Sequence, residues 1–376
     1  MLSVVVINPN HEVMNVAKKI EYIDFCGINI PFGILELQQP KFDILDEKNK
    51  DFVLVKINCF SCNYRDKAII LNNFFQLQKL NKPFLPFGSE FSGTVVLKGK
   101  NVSELEIGDS VISNCTYEGL DNNEFLPGVA TNYASLGWLR IRKEKLIKKP
   151  IFLNSVQAAS FSLGAQTAFS MIKKSGILEF DNPNPIIFSS RSTTSLFIIQ
   201  ILQSFGINPI CCSRKRWNKN ELQTVDIGSN ISNGELDNFT NSITHVFDPF
   251  FDINLTNATN VLSYGGKYVC CGLLNQLPSS TYDKSVTNYM KFADALKLIV
   301  VKNLSLIGNC LGKLDDLVDV IKLFNECNMV PIIDSEYTIE KKGYFIRKSF
   351  FDNEKFGKCV MNYEISNQKT KIKILN

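Results

Sequence analysis

Beyond Pro150, short runs of almost unbroken apolar residues alternate with stretches at helical spacing, and this alternation leaves few folds open. Residues 155–174 (SVQAASFSLGAQTAFSMIKK) have the apolar spacing of one helix, with Ser155 as its cap. A short apolar strand follows at 185–189 (PIIFS), then a strongly apolar helix at 194–205 (TSLFIIQILQSF) closed by Gly206. Strands at 208–212, 244–247, 267–271 and 304–307 continue the series, with helical stretches between them. Strands apolar along their whole length are buried on both faces, so helices must cover both sides of a parallel sheet. A helix at 315–325 and a strand-like tail from Ile332 complete the pattern.

The first third reads as β. Residues 51–59 (DFVLVKINC) alternate apolar and polar, and 90–98 (EFSGTVVLK) and 105–113 (LEIGDSVIS) are further strands separated by Gly, Asn and Asp turns. The expectation is an α/β chain in which a β-rich part precedes a doubly wound sheet and the C-terminus returns to the first part. A length of 376 residues accommodates two such domains. The 28 Phe exclude a disordered chain, and a net charge of +4 without a long basic run argues against a nucleic-acid partner. No stretch reaches the roughly 18 apolar residues of a membrane span. The 11 Cys are odd in number and no cleavable leader is evident, so free thiols in a reducing cytoplasm are expected. The adjacent pairs Cys211–Cys212 and Cys270–Cys271 read as buried thiols on alternate strand faces.

Sequence landmarks sharpen this outline. Residues 53–56 (VLVK) and 63–66 (NYRD), 86–93 (PFGSEFSG), 107–111 (IGDSV), 158–169 (AASFSLGAQTAF), 264–272 (YGGKYVCCG) and 357–360 (GKCV) occur in one order. Together they resemble the motifs of the medium-chain dehydrogenase/reductase superfamily, which contains zinc alcohol dehydrogenases, quinone reductases and enoyl reductases. The resemblance implies a GroES-like β-rich catalytic domain formed by 1–154 and 308–376. It implies a Rossmann nucleotide-binding domain at 155–307, with a ligand cleft at the carboxyl ends of the parallel strands.

Catalytic zinc in this family is held by Cys, His and a third ligand, with water in an open position. The resemblance aligns those positions with Asn63, Ser89 and Leu163, while Cys62 stands one residue off. The four-Cys lobe of a structural zinc has no counterpart, since residues 88–127 contain only Cys115. His11, in a polar turn, reads as exposed, and His245, in a predicted strand, as packed. The expectation is no metal. Without a Lewis acid to polarise a carbonyl, hydride addition to an already electrophilic conjugated double bond is favoured over alcohol–ketone chemistry.

The turn where the family places its glycine loop reads Ser189-Ser190-Arg191-Ser192-Thr193-Thr194-Ser195, without a single Gly. One reading is a scaffold that no longer binds nucleotide. The favoured one is that Ser190, Arg191, Ser192 and Thr193 still receive a phosphate, through hydroxyls and N–H groups at a helix N-terminus. About 20 residues on, NAD enzymes place an acid on the ribose. Here the chain has Ser213, Arg214, Lys215 and Arg216. Ser213, Arg214 and Lys215 suit a 2′-phosphate, which predicts NADPH, although a solvated basic turn would look the same. Gly272 is a further cofactor contact that the resemblance implies.

Hydride addition leaves an anion to be protonated. Tyr64 is a candidate donor or packing residue, Asn63 a group to orient substrate or ribose, and Thr167 a neighbour of the nicotinamide or a helix Thr bonded to its own backbone. Arg65 and Asp66 read as a structural pair and Glu90 as a buried charge. The segment before residue 53 is longer than in compact members by roughly one strand and turn. That length, the eroded zinc positions and the composition resemble the lanthipeptide-tailoring branch, which implies reduction of dehydroalanine in a precursor peptide to D-alanine. A small-molecule quinone or enoyl reductase and a non-catalytic binding relative stay open beside it. The partner is then a peptide or small molecule with a conjugated double bond, and a homodimer is a further expectation.

Overall fold

The structure, a computed structural model, describes residues 1–116, 128–274 and 287–365. Its second half is built on a six-stranded parallel sheet. The strand order is Ser229–Ser232, Ile210–Ser213, Pro185–Ile187, Ile243–Asp248, Leu262–Cys270, Ser305–Gly308. In chain order this is 3-2-1-4-5-6, the doubly wound arrangement whose switch point lies beside the first strand. The central strands are buried on both faces, as their continuous apolar character requires.

The first half holds two antiparallel sheets. Leu2–Ile7, Lys18–Phe25 and Ile28–Glu36 form a small sheet with the two-residue strand Phe84–Leu85. The larger sheet centres on Phe52–Ser61, flanked by Glu90–Lys98 and by the C-terminal strand Lys358–Asn362, with Ile333–Tyr337 parallel outside it. The C-terminus therefore returns to the first half. Phe25, Phe32, Phe60, Phe87 and Phe345 fill the core between these sheets, mostly in edge-to-face contacts. Among the described residues no helix is long and apolar enough to cross a membrane.

Three expectations change. The helix expected over 155–174 is two, Ser155–Ala158 and Ser162–Ser175, and the cap is Asn154, whose side chain accepts from Gln157 N–H. The break has a cause. The Ala159 carbonyl is taken by the Ser61 hydroxyl of the first half at 2.7 Å, and the Leu163 N–H that would meet it donates to Glu90 of the same half at 2.8 Å. Phe161 instead packs on Phe197 and Phe324 of the second. The strand expected over 105–113 shortens to Ser110–Ser113, because Gly108, at φ +94°, and Asp109 make a turn. Helix Leu314–Glu326 lies beyond the expected boundary at residue 308, yet buries Leu317, Val320 and Phe324 in the second core and sides with the parallel sheet.

Helix Tyr64–Lys79 was not expected from the sequence; it begins where Asp66 accepts the Asn63 N–H at 2.7 Å. Gly164 permits close contact between helices Ser162–Ser175 and Thr193–Ser204. A Cβ there would meet the Phe197 ring at 2.8 Å.

Candidate active site

Strand register sets up the centre of the site. Ser61 pairs with Glu90 on one side and Val360 on the other, so Ser61, Glu90 and Lys358 converge. The Glu90 carboxylate is fully buried. It accepts from Lys358 Nζ at 3.0 Å, Ser61 Oγ at 3.3 Å, Asn63 Nδ2 at 3.4 Å and Leu163 N–H at 2.8 Å. A buried carboxylate is tolerable only when paired and hydrogen-bonded in this way. Lys358 also donates to Asn63 Oδ1 at 2.6 Å, and the Asn63 amide donates to Ser89 Oγ at 3.1 Å. Ser89 donates to Asp66 at 2.7 Å, and Arg65 stands 3.6 Å from Asp66. Burial pushes the Asp66 carboxyl up.

The three positions aligned with zinc ligands are therefore otherwise engaged. Asn63 and Ser89 bond each other, Asn63 also holds the Lys358 ammonium, and Leu163 offers only its N–H. Burial raises the Cys59 and Cys62 thiols, which disfavours a metal-binding thiolate. Among the described residues no three His, Cys, Asp or Glu side chains gather into a set that could hold a metal ion. His245 is buried as expected, edge-on to Phe180. His11 is not merely exposed, because its ring Nδ1 accepts from Val13 N–H.

A cleft of about 540 Å³ opens at the carboxyl ends of Leu262–Cys270 and Ser305–Gly308. Phe251, Cys270, Cys271, Gly272, Asn309 and Cys310 line it. Cys270 and Cys271 are thus only partly buried, unlike Cys211 and Cys212. A Cβ on Gly272 would meet the Pro249 carbonyl at 2.8 Å. Asn309 donates to the Thr167 carbonyl at 3.5 Å and accepts from Ser170 Oγ at 2.9 Å. Among the described residues the buried Thr167 hydroxyl has no hydrogen-bond partner, so it does not bond back to its own helix. Tyr64 stands across the interdomain gap, its ring 5.5 Å from Phe250. Burial raises its phenol, which keeps the hydroxyl protonated at neutral pH.

The glycine-free turn keeps the conformation glycine would adopt. Ser189 sits at φ +48°, in the left-handed region, and Ser192 caps helix Thr193–Ser204. The side chains are spent differently from expectation. Ser190 Oγ is buried and accepts from Trp217 Nε1 at 3.0 Å, so it does not face a phosphate. Arg191 is engaged by Glu221 and by Glu354. Ser213 Oγ donates to the Lys215 carbonyl at 2.5 Å. Arg214 and Lys215 are exposed and reach Asn353 and Glu354. Thr193 remains at the helix N-terminus, where its own N–H has no intrahelical acceptor. The groups that could hold a dinucleotide here are that N-terminus, the Arg214–Lys215 rim, Gly272 and the Thr167 hydroxyl.

Lys358 and Asn309 were missed as site residues. Lys358 stood in view in the closing GKCV motif, where a lysine inside a buried strand was the available signal. Asn309 carries none.

Residues 49–147 match the alcohol dehydrogenase GroES-like domain. A zinc-type alcohol dehydrogenase-like protein of Schizosaccharomyces pombe is 26% identical over 47% of this chain and 52% of its own length. The chain thus spans about half of that relative. Acryloyl-coenzyme A reductase of Sulfurisphaera tokodaii is 23% identical over 83% of this chain and 92% of its own. Among solved structures, a 2-octenoyl-CoA carboxylase reductase in complex with NADP and 2-octenoyl-CoA superposes with a TM-score of 0.69. That superposition has 18% identity and covers 96% of this chain and 87% of the other. A GroES-like domain joined to a Rossmann-type parallel sheet, matched along nearly its whole length, gives this chain the fold of the medium-chain dehydrogenase/reductase superfamily.

Proposed function

We propose that the chain is a zinc-independent NAD(P)H-dependent oxidoreductase, with NADPH as its cofactor, that reduces a carbon–carbon double bond conjugated to a carbonyl. The carrying observation is the donor set at the aligned zinc positions, where Asn63 accepts from the Lys358 ammonium and donates to Ser89, which in turn donates to Asp66. Such a centre suits a substrate that is electrophilic without Lewis-acid help. The relative named for acryloyl-coenzyme A and the structural neighbour holding NADP and an enoyl thioester support the same class.

When bound, the nicotinamide supplies hydride to the β-carbon. Negative charge then develops on the carbonyl oxygen, and the protonated Tyr64 hydroxyl stabilises it or delivers the proton to the α-carbon. Among the described residues Tyr64 makes no side-chain hydrogen bond that would hold that proton back. Thr167 offers its hydroxyl to the nicotinamide side, and Gly272, on the cleft wall, is held close to the Pro249 carbonyl where a side chain would not fit. Asn63 holds Lys358 and Ser89 in register and acts on substrate only through that framework.

The narrower reading is reduction of dehydroalanine in a peptide to D-alanine. Dehydroalanine, like an acryloyl group, presents an unsubstituted terminal carbon conjugated to a carbonyl. The long N-terminal sheet gives the first half extra surface for a peptide. The test is a substrate panel with NADPH and NADH: a dehydroalanine peptide, an acryloyl thioester, a quinone and a simple ketone. Reduction of the conjugated alkenes with NADPH is expected, and the peptide-to-thioester ratio decides the narrower reading. Turnover of the ketone alone, dependent on added zinc, overturns the proposal.

A further inference from the structure

Three of the four cations that the sequence offers to the adenosine end of a nucleotide, Arg191, Arg214 and Lys215, are already held by one short segment of the chain, residues 353–357, while Arg216 pairs with Glu235. Glu354 accepts from Lys215 Nζ at 2.9 Å through one carboxylate oxygen and faces Arg191 at 3.5 Å through the other. Its backbone carbonyl accepts from Arg191 at 2.8 Å. Asn353 Oδ1 accepts from Arg214 at 2.6 Å, and Gly357 N–H donates to the Arg191 carbonyl at 3.1 Å. Phe356 stands edge-on to Trp217, ring centroids 4.9 Å apart, and Trp217 is bonded to Ser190 of the turn.

The contacts divide by exposure. Arg191 is anchored by Glu221, with side chains only 12% and 7% exposed. The Lys215–Glu354 pair is open, at 74% and 59%. A carboxylate and a phosphate are alternative acceptors for the same guanidinium and ammonium donors. An exposed pair exchanges its partner cheaply, because water and salt already compete for it.

We propose that Glu354 is an internal counter-anion that competes with the cofactor's 2′-phosphate for Lys215, and thereby sets affinity and selectivity at this rim. The inference rests on reading Arg214 and Lys215 as the 2′-phosphate site. Binding the phosphate draws Lys215 away from one Glu354 oxygen, while the other oxygen still faces Arg191 and Arg191 stays clamped on Glu221. The segment 353–357, which runs directly into strand Lys358–Asn362, then reports to the first half that the rim is filled.

The test measures affinity for adenosine 2′,5′-bisphosphate and adenosine 5′-monophosphate by calorimetry, with the indole fluorescence of Trp217 as a second readout. Parent chain, Glu354→Gln and the remote charge control Glu326→Gln are compared. Glu354→Gln should bind the bisphosphate roughly threefold to fivefold more tightly, with no change for the monophosphate and none in the control. If the parent prefers the bisphosphate but Glu354→Gln matches it, the competition is refuted and the phosphate site stands. Weaker binding by Glu354→Gln also refutes it, since Glu354 would then position the cations. If the parent binds both probes alike or neither, the phosphate-site reading falls and the inference with it.

Discussion

Two ion pairs of nearly equal length sit in opposite surroundings. Lys358–Glu90, at 3.0 Å, has side chains 3% and 0% exposed, whereas Lys215–Glu354, at 2.9 Å, is solvated. Distance alone would rank them together. Burial separates them: the first must stay paired or leave a desolvated charge, while the second trades one partner for another at little cost. The chain thus keeps its fixed charges where the double bond would react and its exchangeable ones where the cofactor would dock.

The sharpest way to break this comparison is Lys358→Met, which strands Glu90 inside the sheet. Urea unfolding should show a loss of about 3–5 kcal/mol, largely recovered in Lys358→Met with Glu90→Leu. A loss under 1 kcal/mol would mean that the site is wetter than its burial indicates. A buried group with no ion partner gives the next effect. Burial lowers His245 from 6.5 to about 4, so the unfolded chain takes up its proton first as pH falls. The stability tied to the neutral ring is whole above pH 6.5 and declines between 6.5 and about 4, by on the order of 3 kcal/mol. His245→Leu should flatten that part of the acid limb.

In the cleft, Tyr64→Phe keeps the ring against Phe250 and removes the hydroxyl. Single-turnover reduction should slow about a hundredfold, with cofactor affinity unchanged. An unchanged rate returns Tyr64 to a packing role. The smallest effect belongs to the exposed pair: Lys215→Ala should shift stability by less than about 1 kcal/mol in a thermal melt, less still in high salt.

The parallel sheet was readable because strands buried on both faces leave an unmistakable apolar run, and each of those expected strands is present within a few residues. Asn154 was overlooked as a cap because Ser155 beside it has the same propensity, and only the Gln157 partner distinguishes them. The broken helix was not readable at all. Its periodicity is continuous, and the interruption comes from Ser61 and Glu90, far away in the chain. At the site, residue types told which metal ligands were missing but not what replaced them, since the Lys358–Asn63 contact spans 295 positions. Arg191 and Ser190 were read as phosphate donors because nothing local announces Glu221, Glu354 or Trp217.

The interrupted helix is where the chain passes from one half to the other: Ser155 and Ala159 are bonded to the first half, Phe161 is wedged into the second, and the Leu163 N–H still reaches back to Glu90. The other crossing, after Glu326, brings Ile333 into the same apolar cluster as Val156, Ala159 and Val360. Both chain crossings between the halves therefore pass through one apolar cluster.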